Sequence, residues 1–211
     1  MTVPNPTPPA VAVAAPAGWR LVRHARVLTP TGLCYGRLDV ADDPAHTESS
    51  ARAIAAAWPA PRVVRCSPLS RCLALARSLA EQWPGLRIDV DERLAEMDFG
   101  QWEGRLWHDV PRAEIDQWRA AFADHRVGGS GESVRAFMAR VAAARDDALA
   151  QRDDEAGRGG HAERGPDAGP VWWVTHSGVI RAMQLLERGI VCSDGRDWPR
   201  ADLAFGVCHP L

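Results

Sequence analysis

Two histidines occupy positions where a parallel sheet would present catalytic groups. His24 directly follows the apolar run WRLVR at Trp19–Arg23, and His176 directly follows the run VWWVT at Val171–Thr175. Short apolar runs of this kind are typical of buried parallel strands. Because open α/β sheets bind their ligands at the carboxyl ends of the strands, we predict that both histidines lie at the ligand-binding edge of one sheet. The other five histidines are interpreted as surface or packing residues.

Two arginines near the same predicted strand ends could bind an anion. Arg23 immediately precedes His24, and Arg71 closely follows the apolar run PRVVRC at 61–66. Ahead of Arg71, Ser67 and Pro68 suit the N-cap and the first position of a helix, which puts Arg71 in its first turn. Backbone N–H groups at a helix start and two guanidinium groups together favour a dianion such as phosphate. The sequence therefore predicts a phosphate site beside His24.

Glu96 is the candidate acid of such a site. It lies in the loop-like segment LAEMDFGQWEG at 94–104, where a carboxyl group could protonate a leaving oxygen. A histidine nucleophile, flanking cations and one acid suffice for phosphoryl transfer without a metal. The alternative is a metal-dependent hydrolase in which His24, His176 and an acid are the ligands. The chain contains no His-x-x-x-His or comparable ligand spacing, so we expect neither a metal nor another cofactor.

Five short motifs, in order along most of the chain, resemble those of the histidine phosphatase superfamily, which is also called phosphoglycerate-mutase-like. They are LVRHA at 21–25, CSPLSRCLALA at 66–76, EMDFGQWEG at 96–104, GGSGES at 128–133 and VTHSG at 174–178. The resemblance implies that His24 becomes phosphorylated and that Glu96 is the proton donor. It also implies that Arg23 and Arg71 hold the phosphoryl oxygens and that His176 completes the pocket.

The sequence departs from the commonest form of that family directly after the first histidine. Ala25 stands where glycine is usual, and Pro30 stands in place of a downstream asparagine. Arg26 and Val27 replace an acidic or polar residue and a serine or threonine. These departures disfavour a phosphoglycerate mutase, because mutase-type substrate contacts would come from this loop.

The next loop, GLCYGRLD at 32–39, resembles that of α-ribazole phosphatase-like members of the family, which act late in cobalamin assembly. The resemblance makes α-ribazole phosphate a candidate substrate. It also makes Arg37 a candidate contact for the phosphate or the organic group of the substrate, with a solvated loop arginine as the alternative. Glu132, in the GGSGES motif, is interpreted as a capping or first-turn carboxylate near a helix start.

Strand-like and helix-like patterns alternate along the chain. Besides the three apolar runs above, weaker strand candidates lie at Leu86–Val90 and Leu203–Cys208. Apolar residues recur at steps of three and four between 69 and 83 and again between 134 and 149, which indicates amphipathic helices. This alternation predicts an α/β fold: a three-layer sandwich with a mainly parallel sheet flanked by helices.

Two segments lack the strand and helix patterns of the predicted domain. Residues 1–18 carry no charge and are rich in proline and alanine, so we expect a disordered tail. Residues 152–170 contain five glycines and two prolines, which predicts a flexible insertion. Apart from that insertion, 19–211 is expected to form a single domain.

The composition excludes several classes of function. All 25 cationic side chains are arginines, so lysine Schiff-base chemistry and lysine-assisted phosphate binding are excluded. A formal net charge of −2 argues against a nucleic-acid-binding protein. No apolar run approaches the roughly 20 residues of a membrane span, and the uncharged, proline-rich start is unlike a secretory signal. Five cysteines without a C-x-x-C pair suggest reduced thiols in a cytoplasmic protein.

These observations lead to one main hypothesis and two alternatives. The main hypothesis is a metal-independent phosphomonoesterase that acts through a phosphohistidine on a small phosphorylated metabolite, with α-ribazole phosphate as the candidate. The first alternative is a phosphatase of another small metabolite or of a phosphohistidine protein. The second is a non-catalytic phosphate-binding module, since a fold does not by itself determine function. The oligomeric state stays open.

Overall fold

A five-stranded sheet lies at the centre of the fold. The computed structural model describes residues 18–158, 169–192 and 194–211. Within these ranges the strands are β1 (Trp19–Arg23), β2 (Val63–Cys66), β3 (Arg87–Val90), β4 (Val171–Thr175) and β5 (Cys208–Pro210). They lie in the order β3-β2-β4-β1-β5, in which β5 runs antiparallel to β1 and the other neighbours pair in parallel. The prediction of a mainly parallel sheet is confirmed.

Helices cover both faces of this sheet. They are α1 (Pro44–Ala57), α2 (Ser70–Gln82), α3 (Arg112–Ala120), α4 (Val134–Arg158) and α5 (Ser177–Glu187), with short 3₁₀ turns at Glu92–Leu94, Gly100–Trp102 and Trp107–Asp109. α1 and α2 pack together on one face, and α4 and α5 pack together on the other. The predicted three-layer α/β sandwich is therefore confirmed.

The two faces carry separate hydrophobic cores because successive strand residues point to opposite sides of a sheet. Leu21 and Trp173 belong to the core shared with α4 and α5. Val22 and Trp172 belong to the core shared with α1 and α2. Burial on both faces explains why β1, β2 and β4 consist of largely apolar runs.

The strand register brings the predicted site residues to one edge. β2, β4 and β1 are neighbours, and Arg23 at the end of β1 pairs with Thr175 at the end of β4. The ladder continues one residue further, because the His24 N–H donates to the Thr175 carbonyl at 2.9 Å and the Ser67 N–H donates to the Val174 carbonyl at 3.0 Å. The residues that follow these three strands therefore start from adjacent points on the carboxyl edge of the sheet, as predicted.

The strand predicted at Leu203–Cys208 is wrong for all but its last residue. β5 begins at Cys208 and pairs with the middle of β1. The residues ahead of it wrap around Arg23 instead: the Leu203 carbonyl accepts from its guanidinium, and the Gly206 N–H donates to its carbonyl oxygen at 3.1 Å. Gly206 has a φ of +67°, a conformation that ends strand geometry and favours glycine.

The predicted capping of α2 by Ser67 is also wrong. α2 begins at Ser70, and its cap comes from a distant loop. Asp39 Oδ1 accepts hydrogen bonds from the Ser70 N–H at 2.9 Å and from the Ser70 hydroxyl at 2.7 Å. The Ser67 hydroxyl contacts His176 instead. Arg71 nevertheless lies in the first turn of α2, as expected.

The two predicted irregular segments fall largely outside the described residues. α4 continues through Arg158, so the first part of the expected insertion at 152–170 is helical, and 159–168 lie outside the described residues. Residues 1–17 of the expected tail also lie outside them, while the Gly18 carbonyl accepts from the Val171 N–H at 2.9 Å. The single-domain arrangement stays a prediction. In the part of the chain that the structure describes, no helix has both the length and the apolar character needed to cross a membrane.

Candidate active site

His24 lies at the sheet edge with one ring nitrogen held by a backbone hydrogen bond. Its side chain lines a cavity at the sheet edge although the residue is only 2% exposed. Nδ1 lies 2.7 Å from the carbonyl oxygen of Ala25. Because a carbonyl oxygen can only accept, Nδ1 carries the ring hydrogen and Nε2 presents its lone pair. The local turn after β1 thus selects the tautomer that a nucleophile needs.

Burial keeps the two site histidines neutral. Burial, followed by the charges of Arg71 and Arg23, lowers the pKa of His24 well below its ordinary value of 6.5. Burial, followed by the charges of Arg71 and His24, likewise lowers the pKa of His176. At neutral pH His24 is therefore a neutral imidazole, the form that the predicted attack on phosphorus requires.

His176 lies directly behind His24, with 5.2 Å between the ring centroids. Its Nε2 is 2.8 Å from the Ser67 hydroxyl, and its Nδ1 is 3.3 Å from Arg71 Nη2. A guanidinium can only donate, so Nδ1 accepts and Nε2 donates to Ser67. His176 is fully buried and does not line the cavity.

The two predicted phosphate arginines flank the histidines in different surroundings. Arg71 is fully buried and donates to the carbonyl oxygens of Leu38 at 2.9 Å and Gly36 at 2.7 Å. Arg23 lines the cavity, and its guanidinium stacks on the Phe205 ring at 3.6 Å. Arg71 thus anchors the loop around Gly36, while Arg23 faces the open space.

Each of these guanidinium groups keeps one unsatisfied donor. Among the described residues, the buried Nε atoms of Arg23 and Arg71 have no hydrogen-bond partner. An unpaired buried donor costs about 1–3 kcal/mol. Oxygens of a bound anion are acceptors that would remove this cost, and the two donors belong to the groups that surround His24.

Glu96 reaches the cavity from a neighbouring loop and is held by backbone groups. Its Oε1 accepts from the Met97 N–H and its Oε2 accepts from the Gly178 N–H, both at 2.9 Å. A Cβ atom on Gly178 would lie 2.1 Å from Oε1, so the carboxylate occupies the space that any side chain there would need. Glu96 and His24 both line the cavity, which brings the predicted acid and nucleophile together.

Arg140 holds the loop that carries Glu96, a role that the sequence analysis missed. Its guanidinium donates to the carbonyl oxygens of Arg93, Ala95 and Glu96 at 2.7–2.9 Å. It also forms a two-point salt bridge with Glu132, at 2.7 and 2.8 Å. These three carbonyl contacts between residues 93 and 96 fix the backbone path up to Glu96, the predicted acid. An arginine in a helix has no local pattern that reveals such a role.

Glu132 anchors that arginine and does not cap α4, which corrects its interpretation from the sequence. Its Oε2 also accepts from the Asp98 N–H at 3.0 Å. Burial opposes its ionisation, but the bonds to Arg140 prevail and lower the pKa of Glu132. The hydroxyl of Ser133 takes the capping role instead, accepting from the Ala136 N–H at 3.2 Å.

The loop at 32–39 presents Tyr35 to the site and Arg37 to the surface. The Tyr35 ring lies 6.4 Å from the His24 ring and 5.1 Å from the Arg71 guanidinium, and it lines the cavity. The Arg37 side chain is exposed and does not line the cavity. Its backbone N–H donates to Glu103 Oε1 at 2.8 Å. The structure therefore separates Arg37 from the other predicted site residues.

The cavity has a polar end and an aromatic end. Its volume is about 410 Å³, and Arg23, His24 and Glu96 form the polar end. The aromatic end is lined by six rings: Phe99, Trp107, Trp118, Phe122, Phe137 and Trp198. Sequence reasoning missed this end. Its one signal was the excess of tryptophan, nine residues in the chain, which is equally typical of core packing.

Across the described ranges, no three His, Cys, Asp or Glu side chains group in a way that could hold a metal ion.

The residues after His24 that differ from the common family pattern do not line the cavity. Among them, the exposed Arg26 guanidinium is 4.0 Å from the Asp43 carboxylate. The chemically active groups at the sheet edge are therefore imidazole, guanidinium, carboxyl and phenol.

Comparisons with known proteins agree with this geometry. The family model described as the histidine phosphatase superfamily (branch 1) matches residues 20–204. No curated protein matches the chain.

Solved structures provide a second comparison. A mycobacterial glucosyl-3-phosphoglycerate phosphatase is 27% identical, with 83% of this chain and 81% of that chain covered and a TM-score of 0.65. Its complex with inorganic phosphate is 28% identical over 83% and 80% of the two chains, with a TM-score of 0.64. The protein TTHB049 from Thermus thermophilus is 26% identical, with 92% of each chain covered and a TM-score of 0.59. Both proteins thus share the overall arrangement of this chain.

Proposed function

Because the chain belongs to the histidine phosphatase superfamily, we propose that it is a metal-independent phosphomonoesterase that works through a phosphohistidine on His24. One observation carries the proposal: His24 lines the cavity with Nδ1 bound to the Ala25 carbonyl, which leaves Nε2 free to attack. The phosphatase activity of a similar mycobacterial protein supports the same reaction class. We propose that the enzyme is a hydrolase of the histidine acid phosphatase type.

In the first step, Nε2 of His24 forms a bond to phosphorus while the bond from phosphorus to the ester oxygen breaks. Glu96 gives its proton to that oxygen, so the product leaves as a neutral alcohol. The guanidinium of Arg23, which lines the cavity, holds the phosphoryl oxygens. Arg71 does not line the cavity, and its buried charge near His24 helps to offset the charge of those oxygens. His176 supports this pocket from behind by orienting Arg71 and Ser67.

In the second step, water attacks phosphorus and the bond to Nε2 breaks. Glu96, now a carboxylate, takes a proton from that water and is ready for the next cycle. Orthophosphate leaves, and His24 returns to its neutral form. Two displacements replace one difficult step, which is the advantage of covalent catalysis.

We propose a small phosphorylated metabolite as the substrate, with α-ribazole phosphate in cobalamin synthesis as the specific candidate. The loop at 32–39 resembles that of α-ribazole phosphatase-like proteins, and its Tyr35 lines the cavity. Arg37 belongs to the same loop and would contact a substrate only at the mouth of the site. The cysteines are all buried free thiols, which fits the proposed cytoplasmic location.

A second candidate substrate follows from the comparisons. The similar mycobacterial enzyme is a glucosyl-3-phosphoglycerate phosphatase, so a phosphorylated sugar acid is the alternative small metabolite. A panel of α-ribazole phosphate, glucosyl-3-phosphoglycerate, phosphoglycerates and a phosphohistidine peptide separates these substrates. The highest kcat/KM identifies the class, and a preference for the peptide would contradict a metabolite enzyme.

Phosphoenzyme trapping tests the mechanism. Wild-type protein mixed with a radiolabelled aryl phosphate and quenched in alkali should carry label that acid releases, as expected of phosphohistidine. His24→Ala should carry none, whereas His108→Ala, at an exposed histidine, should be labelled like the wild type. Turnover should persist after chelator treatment. A protein that binds phosphate but neither turns over nor becomes labelled would be a non-catalytic binding module.

A further inference from the structure

Five rings at the aromatic end of the cavity contact one another in two groups. Trp118 and Phe122 are stacked with 5.3 Å between centroids, and Phe122 meets Trp198 edge-on at 6.1 Å. Phe99 and Trp107 form an edge-on pair at 5.3 Å across from them in the lining. We call these five residues the aromatic compartment.

The compartment opens onto the same space as the nucleophile. Its rings and His24 line one cavity, whose volume of about 410 Å³ falls within the roughly 300–1,000 Å³ typical of small-molecule sites. A phosphoryl group bound beside Arg23 would therefore leave most of this space to the leaving group. The leaving group of any ester attacked by His24 must then point toward the aromatic rings.

The charges in the lining lie outside the compartment. Glu96 and Arg23 belong to the reacting end, and Arg181 and Arg200 are the further charged residues of the lining. Arg181 donates to the Ala201 carbonyl at 3.3 Å, and Arg200 is exposed. The compartment offers hydroxyl groups few partners, among them the buried Trp118 Nε1–H, which has no hydrogen-bond partner of its own among the described residues. Most hydroxyl groups that faced the rings would therefore lose hydrogen bonds to water. Flat apolar rings would instead gain contact with the compartment.

We infer that the aromatic compartment selects phosphomonoesters whose leaving group carries an aromatic ring system. The inference rests on the proposed phosphatase function and deepens it. Phe122 contacts both Trp118 and Trp198 and is the central specificity-determining residue, whereas Trp107, 38% exposed, closes the rim. Gly195 completes the wall, because a Cβ there would lie only 3.4 Å from the Phe122 ring.

Two esters with alcohols of similar acidity test the inference. Naphthylethyl phosphate and propyl phosphate differ in the ring system but not in the chemistry of the bond that breaks. Wild-type kcat/KM should favour the naphthyl ester by about 10- to 100-fold, since burying an aromatic side group contributes several small favourable contacts. The ratio of the two kcat/KM values does not depend on the fraction of active enzyme, so a partly folded variant is still informative.

Variants of the compartment should reduce this ratio specifically. Phe122→Ala should lower it about fivefold or more, and Trp107→Ala should lower it less, because a rim contact is partly solvated. Trp58→Ala is the matched control: Trp58 packs on Trp172 in the other core and should leave the ratio unchanged.

Four outcomes are decisive. A ratio that favours naphthylethyl phosphate and falls in Phe122→Ala supports the inference. A wild-type ratio near one, or a ratio that Phe122→Ala leaves unchanged, overturns the compartment's role while the phosphatase stands. Faster turnover of a phosphohistidine peptide than of naphthylethyl phosphate also overturns it. Absence of turnover for every ester overturns the inference together with the proposed function.

Discussion

The reacting end and the aromatic end of one cavity are built in contrasting ways. His24 and Arg23 come from the end of β1, and the groups behind them come from the ends of β2 and β4, so sheet register places them. The aromatic rings come from the connection between β3 and α4 and from the segment ahead of β5. Strand ends position His24 and Arg23, whereas Glu96 and the aromatic rings come from connections, where sequence varies more freely.

The two ends of the cavity also differ in the contacts that hold their side chains in place. At the reacting end, buried polar groups are tied to backbone: Nδ1 of His24 to Ala25, Arg71 to Gly36, and Glu96 to Gly178. At the aromatic end, ring-to-ring contacts at 5–6 Å hold the wall together. Changes at the first end should therefore affect all substrates, and changes at the second should affect the choice among them.

Removing His24, the proposed nucleophile, should have the largest effect, and this effect should not depend on the leaving group. We expect His24→Asn to lower kcat at least about 10⁴-fold for both propyl and naphthylethyl phosphate, because the covalent path is lost. Steady-state assays of both esters measure this, with His108→Asn as the exposed control. If activity fell mainly for one ester, His24 would affect the choice of substrate, and the proposed difference between the reacting end and the aromatic end would be wrong.

Removing the acid should have the next largest effect and should depend on the leaving oxygen. Glu96→Gln should slow propyl phosphate about 10²- to 10³-fold but change nitrophenyl phosphate little, since nitrophenolate leaves without a proton. Gly178→Ala should act in the same direction, because its Cβ would displace the Glu96 carboxylate. Gly169→Ala, where a Cβ meets nothing within 4 Å, is the control. Equal losses for both esters would exclude Glu96 as the proton donor.

Removing the support of the acid should have a smaller effect on both stability and rate. Arg140→Met should lower the free energy of unfolding by about 3 kcal/mol, because it breaks a largely buried ion pair and three carbonyl contacts. It should also slow propyl phosphate more than nitrophenyl phosphate, with partial rescue in Arg140→Lys. Denaturant titration and the two assays measure this.

Arg135→Met provides the control, since the Arg135–Asp124 pair is exposed and should contribute little. If Arg140→Met lost stability but slowed both esters equally, Arg140 would support the fold without positioning Glu96.

Acidification should have the smallest effect on the choice between the two esters, because it acts on the stability of the fold, mainly through the two buried histidines His24 and His176. Their pKa values are lowered in the folded state, so below the unfolded value of about 6.5 the unfolded chain binds more protons. The contribution of these histidines to the free energy of unfolding is therefore fully present above that pH. As the pH decreases below it, the free energy of unfolding falls by about 1.4 kcal/mol per pH unit for each histidine. His24→Asn should show a shallower decline in urea titrations between about pH 6.5 and 5 than the wild type. Equal slopes would mean that His24 does not contribute.

The signals for the strands behind the reacting end are local. Apolar runs locate β1, β2 and β4, and the two histidines directly follow β1 and β4. The predicted strand at Leu203–Cys208 and the Ser67 cap are wrong because distant partners decide both places. Arg23 draws the chain before β5 into a turn, and Asp39 takes over the capping of α2.

By itself, the amino-acid sequence determined the layered α/β fold, the family and the chemical groups at the strand ends. The spacing of apolar residues along the chain and the residues that directly follow each apolar run carry that information. Only the tertiary structure decided that Arg37 lies outside the cavity, that Arg140 holds the loop of Glu96, and that five aromatic residues share one wall. These relations join residues far apart in the chain, and packing across connections leaves no repeating local pattern from which they could be read.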